Sequence, residues 1–377
     1  MKRRTKWLLS LSITLIVIGT IGSIISYQNL DHETTKEIQT TLTAPQRFTN
    51  NKLVIQSEGP VTIKLQPSKD EQFHLSGQYK APYEETALTW EIKQDEQQDT
   101  FIINFKKDYR RVPRVFFDVW DTNNNYLTLT IPKQYENLMT QTYNTTLQPS
   151  NLTLKTIQLK GDSNSFRLSN IKADSLKQTA TQSFFDLQKS TIKDGIHIEE
   201  ASGASIKQTQ TKETSINASY DDIDLSQLTG KIKVRTEDGQ VRVHHVSDEV
   251  SIQNKNGNTF FYPKTFEQPA KIQSSNGSIY VWLNPKPRDL KVEASSPNGE
   301  VSIFGKEQHT FESGHKKPLL FVKTTYGDIH LFDEKSEEVY DYPDFTEMDD
   351  EDWFENSEMD GHNSSSNSSQ SDDLHDL

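Results

Sequence analysis

The segment YDDIDL sets Asp221, Asp222 and Asp224 close together. Enzymes that cleave polysaccharides use paired carboxylates as general acid and base or nucleophile, so this cluster is the strongest catalytic candidate in the chain. Its neighbours argue otherwise: Asp224 is expected to lie between basic residues of adjacent strands, which suits a salt bridge. Ser169-Asn170-Ile171-Lys172 has the S-x-x-K spacing, but no S-D-N or K-T-G accompanies it. His244-His245 are consecutive on an expected strand and point to opposite faces, so they do not chelate one metal simply. There is no H-E-x-x-H, no G-x-S-x-G and no phosphate-cradling glycine loop. Cysteine is absent, which removes disulfides, thiolate zinc sites, a cysteine nucleophile and a lipobox anchor. We expect no enzyme activity, no cofactor and no metal.

The other candidate chemistry is a row of aromatic rings. In SSNGSIYVWL (Ser274–Leu283), Ile279, Val281 and Leu283 alternate with Tyr280 and Trp282, so one set faces in and the other out. The pattern recurs in IKVRTEDGQVRV, VSIQNKNGNTFF, AKIQSSNGSIYV, VEASSPNGEVSI and FVKTTYGDIHL. Each has a strand, a polar bend ending in Gly239, Gly257, Gly277, Gly299 or Gly327, and a second strand. Asp238, Asn256, Asn276 and Asn298 precede four of those glycines; such pairs readily supply positive φ. Weaker copies stand at Phe166-Leu168, Phe185-Leu187 and Ile223-Leu225, with Ile206 marking another.

Alignment on glycine sends Val241/Val243, Thr259/Phe261, Ile279/Val281, Val301/Ile303 and Ile329/Leu331 inward. It sends Phe260, Tyr262, Tyr280, Trp282, Phe304, His330 and Phe332 outward as an aromatic ladder and candidate binding surface. Upstream, the same outer column reads Arg167, Asp186, Lys207, Asp224, Arg242, a ladder of alternating charge. The rings either stabilise the sheet by stacking or form a strip that binds a partner, a glycan or lipid headgroups.

Such repeats fit either a β-solenoid or a sandwich-like array of antiparallel hairpins. The near-constant period and a hydrophobic content of only 32% favour the solenoid, whose coils bury their apolar residues by stacking on neighbours. Residues 141–334 make this array. Residues 48–140 read as a small antiparallel β unit, with alternation at Val61-Ile63-Leu65, Leu88-Trp90-Ile92, Ile103-Phe105, Val115-Phe117-Val119 and Leu127-Leu129-Ile131. The fold class is all-β.

The ends differ. Lys2, Arg3, Arg4 and Lys6 precede Trp7–Ile25, which carries no charge and as a helix would span roughly 28 Å. Residues 1–27 read as a basic flank and transmembrane anchor with the N-terminus cytoplasmic and the rest extracellular. A cleaved signal peptide would show a shorter apolar region and an A-x-A site. Residues 28–47 read as a polar stalk. From Asp333 onward stand 17 acidic residues and one lysine, leaving 37 acids and 40 bases upstream; the net charge of −13 belongs to the tail. Residues 335–377 read as a disordered acidic tail, or as a docking peptide led by Tyr340, Tyr342, Phe345, Trp353 and Phe354. Neither part reads as a nucleic-acid binder.

The S/T-x-x-G repeats, the preceding YLTLTIPKQYENL (Tyr126–Leu138) and the N-terminal anchor resemble the bacterial putative-adhesin, β-strand-repeat family of unknown function. That family includes membrane-anchored members linked to Lia-type envelope-stress operons in Gram-positive bacteria. The resemblance covers roughly residues 50 to 334 and brings no catalytic residues. It implies a non-enzymatic cell-envelope protein that senses or modulates stress by touching a cell-wall polymer, lipid headgroups or another envelope protein. An enzyme acting on envelope polysaccharide and a host-surface adhesin are the alternatives.

Overall fold

Period-two alternation forces extended backbone, and extended backbone must find partners for every N–H and C=O. In the computed structural model those partners lie one repeat away. The structure describes residues 15, 19–20, 34–42, 51–70, 72–81, 88–95, 97–105 and 125–334. Apart from the helical positions Leu15, Gly19 and Thr20, its regular elements are strands. No helix among the described residues is long and apolar enough to cross a membrane; the anchor expected over Trp7–Ile25 lies almost wholly outside them.

Successive repeats pair in parallel and in register. Val250–Asn256 follows the second half of Ile223–Thr236 and precedes Ala270–Asn276. Val241–His244, Thr259–Tyr262 and Ile279–Trp282 follow one another in the same way. Hairpin repeats would pair antiparallel, so the array is a β-solenoid. Each coil contributes one strand to a first sheet, turns a corner, and contributes another to a second sheet. Long strands such as Asn137–Pro149 and Thr191–Ala218 run around corners and serve both. The side chains expected to face inward do so: Val241, Val243, Thr259, Phe261, Ile279, Val281, Val301, Ile303, Ile329 and Leu331 are all buried.

The bend glycines stack directly over one another. A Cβ on Gly257 would lie 2.2 Å from the Gly239 carbonyl oxygen, and one on Gly277 2.0 Å from that of Gly257. The column continues through Gly327 to Gly299. Gly239 and Gly257 also hold φ of +89° and +111°, which side-chain-bearing residues rarely adopt. The preceding Asp or Asn is not itself at positive φ. It carries a polar ladder instead: Asn256 Nδ2 donates to Asp238 Oδ1 at 2.9 Å, and Asn276 Nδ2 to Asn256 Oδ1 at 2.8 Å.

Three features depart from the sequence reading. First, residues 48–140 are not a separate antiparallel unit. Lys52–Pro67 pairs in parallel with Asn137–Pro149 along nearly its whole length, and on its other side in parallel with Asp99–Phe105 and Tyr126–Ile131, so it is an internal coil of the solenoid. Antiparallel pairing is confined to flanking strands: Phe73–Ala81 on Tyr126–Ile131, and Leu88–Gln94 on Asp99–Phe105. Second, part of the segment read as a stalk is a strand, Thr34–Leu42, antiparallel to Phe73–Ala81. Its threonines suit an extended edge even without an apolar pattern. Third, the last coil is inserted out of order. Leu319–Lys323 lies between Ala270–Asn276 and Leu290–Ser295, and Ile329–Phe332 lies between Ile279–Trp282 and Val301–Ile303. The outermost coil, 290–303, is capped by antiparallel Thr310–Ser313 and Lys306–Glu307, which occupy edges that would otherwise invite further strands. The strand expected at Val115-Phe117-Val119 lies outside the described residues.

The glycine column makes a direct prediction. Gly257→Ala should destabilise the protein by about 3 kcal/mol, because the methyl meets backbone rather than a movable side chain. Gly195→Ala, whose Cβ would meet the His197 ring at 3.2 Å, should cost less than about 1 kcal/mol. Urea midpoints for the two variants read the difference; equal midpoints would contradict the stacking argument.

Candidate functional site

Parity and register place two columns side by side on the outer face of the second sheet. The first runs Arg167, Asp186, Ser205, Asp224, Arg242, Phe260, Tyr280, His330, Ser302. The second includes Gln188, Lys207, Ser226, His244, Tyr262, and then Trp282 beside Phe332. The face is therefore charged in its N-terminal half and aromatic in its C-terminal half.

In the charged half Lys207 is not in the slot expected for it. Ser205 pairs with Asp224, and Lys207 stands two residues on in the neighbouring column. The reason is that Ala204 and Ile206 together fill the inward slots, so the residue between them faces out. Lys207 still reaches the expected partner: its Nζ lies 3.3 Å from Asp224 Oδ2, while His244 Nε2 lies 3.4 Å from Oδ1. Burial would raise the pKa of Asp224, but the close approach of His244 and the charge of Lys207 outweigh it, and the carboxyl is held below its ordinary range. Asp186 has weaker compensation, and burial pushes its carboxyl up. Asp222 accepts from Arg242 Nη1 at 3.0 Å and from the Gln240 amide at 2.8 Å. Asp221 is exposed at the corner, its carbonyl lying beneath Gly239. The three aspartates therefore do not converge: two are held by cations and the third lies at a bend. Among the described residues no three His, Cys, Asp or Glu side chains converge on a possible metal position. The His244 and His245 side chains do not take opposite faces as alternation implies: the strand ends at His244, His245 turns at φ +55°, and the rings meet edge to face at 5.5 Å.

In the aromatic half the rings stack on each other along the solenoid axis. Phe260 and Tyr280 are 5.3 Å apart and 11° from parallel. Tyr280 and His330 are 5.6 Å and 15° apart, and Trp282 and Phe332 5.2 Å and 26°. Tyr262 lies 6.5 Å from Trp282. Six of the seven expected rings share this stack. Phe304 does not: it sits past the end of its strand at φ +55°. Its ring meets Phe311 edge-on at 5.0 Å and takes the Lys286 ammonium on its face at 3.6 Å. The strip is less exposed than a free apolar surface would be. Trp282 is 5% exposed and Phe332 4%, while Phe260, Tyr262 and Tyr280 are half-buried. The tail residues Tyr340, Tyr342, Phe345, Trp353 and Phe354 lie outside the described residues, in a second unit that begins at Lys335.

The residue three places before each bend glycine has a structural role that alternation does not reveal. Thr236, Asn254, Ser274, Ser296 and Thr324 are buried inside the corners. Thr236 Oγ1 donates to the Asp238 carbonyl at 2.7 Å and Thr324 Oγ1 to that of Gly277 at 2.9 Å. Asn254 Nδ2 donates to the Gly239 and Gly257 carbonyls at 3.2 and 3.0 Å, and Ser296 Oγ to that of Gly327 at 2.6 Å. At four of the five corners a small donor thus satisfies carbonyls that the tight bend turns inward; the buried Ser274 hydroxyl makes no such bond. This explains the S/T-x-x-G form of the repeat.

A family model for Toastrack DUF4097 matches residues 50–320. The chain belongs to the Toastrack DUF4097 family. Its all-β repetitive array is that of a family whose function is unknown. No curated protein matches the chain. Two solved structures are similar to it. One is a putative cell adhesion protein from Clostridium sporogenes ATCC 15579, at 11% identity and a TM-score of 0.23, covering 80% of this chain and 100% of that one. The other is a putative adhesin from Bacteroides fragilis NCTC 9343, at 13% identity and a TM-score of 0.32, covering 79% of this chain and 97% of that one.

The stacked rings of the Toastrack array behave in this geometry as packing elements. Tyr280→Ser combined with Trp282→Ser should lower stability by about 3 kcal/mol, read as a lower melting temperature. An unchanged melting temperature would show that the rings carry no packing role and would return them to the status of a free binding strip.

Proposed function

We propose that this Toastrack protein is a non-enzymatic binding protein of the cell envelope, which senses or buffers envelope stress through the long flanks of its solenoid. The observation that carries this reading is the fate of the carboxylates. Asp222 and Asp224, the best acid–base candidates, are engaged by Arg242, Lys207 and His244. Catalysis by two carboxyls needs them to face a common substrate with opposed protonation states. A ladder of ion pairs supplies rigidity instead. The stacked coils also provide something a binding module needs: outward side chains held at a regular spacing over many rungs, with little conformational entropy left to lose on contact.

A position outside the cytoplasmic membrane is part of the proposal. It rests on the basic residues Lys2, Arg3, Arg4 and Lys6 followed by the uncharged run Trp7–Ile25. The aromatic columns are poor glycan platforms, because their π faces are turned to one another and only ring edges look outward.

Sedimentation of the purified protein with isolated cell envelopes tests the reading. Binding should occur without release of soluble sugars, and a variant carrying Asp221→Ala, Asp222→Ala and Asp224→Ala should bind as wild type does. Release of reducing ends by the wild type, lost in that variant with folding intact, would make the protein an enzyme. Absence of any envelope association would end the binding proposal.

A further inference from the structure

The outer face of the first sheet carries a concentration of charge with no counterpart elsewhere on that sheet. Several of its lysines are matched by acids in adjoining coils or on their own strand. Lys155 pairs with Glu136, Lys177 with Glu199, Lys193 with Asp174, Lys231 with Glu249, and Lys291 with Glu293. Others are unmatched, and five of these, Lys233, Arg235, Lys255, Lys271 and Lys323, lie in neighbouring C-terminal coils. All five are exposed, and none makes an ion pair among the described residues. Register brings them together. Lys233, Ser251, Lys271 and Phe321 form one column, and Arg235, Gln253, Gln273 and Lys323 the next. Lys255 stands in the column beyond, at the level of Gln253. The acids bordering the group are Glu237, at the corner beyond Arg235, and Glu293, which follows Phe321 in the first column and is engaged by Lys291.

Four rungs at the usual interstrand spacing cover roughly 14 Å, and neighbouring columns lie roughly 7 Å apart. In an array whose residues before Asp333 are nearly balanced in charge, five cations with no ion-pair partner among the described residues and two bordering acids leave that area net positive. The side chains between them are Ser251, Gln253 and Gln273, which donate hydrogen bonds and add little apolar area. The ring of Phe321 lies beneath the Lys271 ammonium, 6.0 Å from its centroid.

We propose that this face binds a linear phosphate polymer in which phosphodiesters link small uncharged units, as in a poly(alditol phosphate). The chemistry matches in three ways. Arg235 presents a guanidinium fork suited to phosphate oxygens, and the lysines act as point charges along a flexible chain. The glutamines and serine meet hydroxyls on the linking units. The periodic rungs repeat the same contact every few ångströms, as an extended polymer does. A membrane surface fits less well, because the patch has almost no apolar side chain to enter the headgroup boundary. Single-stranded nucleic acid fits less well, because its bases need exposed aromatic faces to stack on. The inference rests on the envelope-binding reading and names the surface and ligand class for it.

The test is fluorescence anisotropy of labelled synthetic poly(glycerol phosphate) with the full-length protein in detergent. Binding should weaken as salt rises. Lys233→Gln, Arg235→Gln, Lys271→Gln and Lys323→Gln together should weaken it about ten-fold. Replacing the paired Lys155, Lys177, Lys193 and Lys231 by Gln removes the same total charge and should change it less than about two-fold. Thermal unfolding of both variants checks that the fold is kept. Equal losses in the two variants, no binding by the wild type, or equally tight competition by anionic lipid vesicles or single-stranded DNA would overturn the proposal. Envelope sedimentation separates the two claims. If the first variant still sediments as wild type does, the polymer site is wrong and the envelope reading stands. If the wild type does not sediment at all, both fall.

Discussion

At the bend of each C-terminal coil there is no room for a side chain. The carbonyl of one bend glycine occupies the place where the next would carry its Cβ, as the 2.2 Å approach at Gly257 shows. Because the bends touch, the strands on either side are held level with those of the adjoining coil. Buried donors such as Thr236 and Asn254 then satisfy the inward carbonyls, and the Asp238–Asn256–Asn276 ladder ties the outer edge. The in-register stacking of the C-terminal coils follows from this one steric requirement.

Register is what gives the surface its chemistry. When coils align without slippage, every outward position becomes a column, and each column takes whatever character the sequence repeats at that position. On the second sheet this produces an ion ladder passing into a stack of rings. On the first sheet it gathers five bases from four different strands. A one-residue slip would bury Tyr280 and expose Val281, so the columns and the core are specified together. The ion pairs on these faces are individually weak; their value lies in spacing and rigidity.

Much of this was legible in the residues themselves. The inward positions from Val241 to Leu331 and the outward rings from Phe260 to Phe332 follow from alternation and the glycine array alone. What stayed hidden has physical causes. The early coils also turn on non-glycine residues, Asn144, Ser163 and Gln182 with φ near +50°, and polar residues tolerating that conformation leave no distinctive mark. The offset of Lys207 turned on whether Ala204 filled an inward slot, which a small residue does not advertise. The inserted last coil is a choice of neighbour, and alternation describes a strand's faces without naming the strand beside it. Lys52–Pro67 reads identically whether its partner is antiparallel and near or parallel and distant.

Because the chain lacks cysteine, pairs can be introduced cleanly to test stacking and coil order together. The structure sets Gln273 beside Lys323, with Ser295 one rung further on. Cysteines at 273 and 323 should join readily through a disulfide or a short thiol crosslinker, while cysteines at 273 and 295 should not. Efficient joining of 273 to 295 with none to 323 would mean that coils stack in chain order, and would contradict the account at its centre.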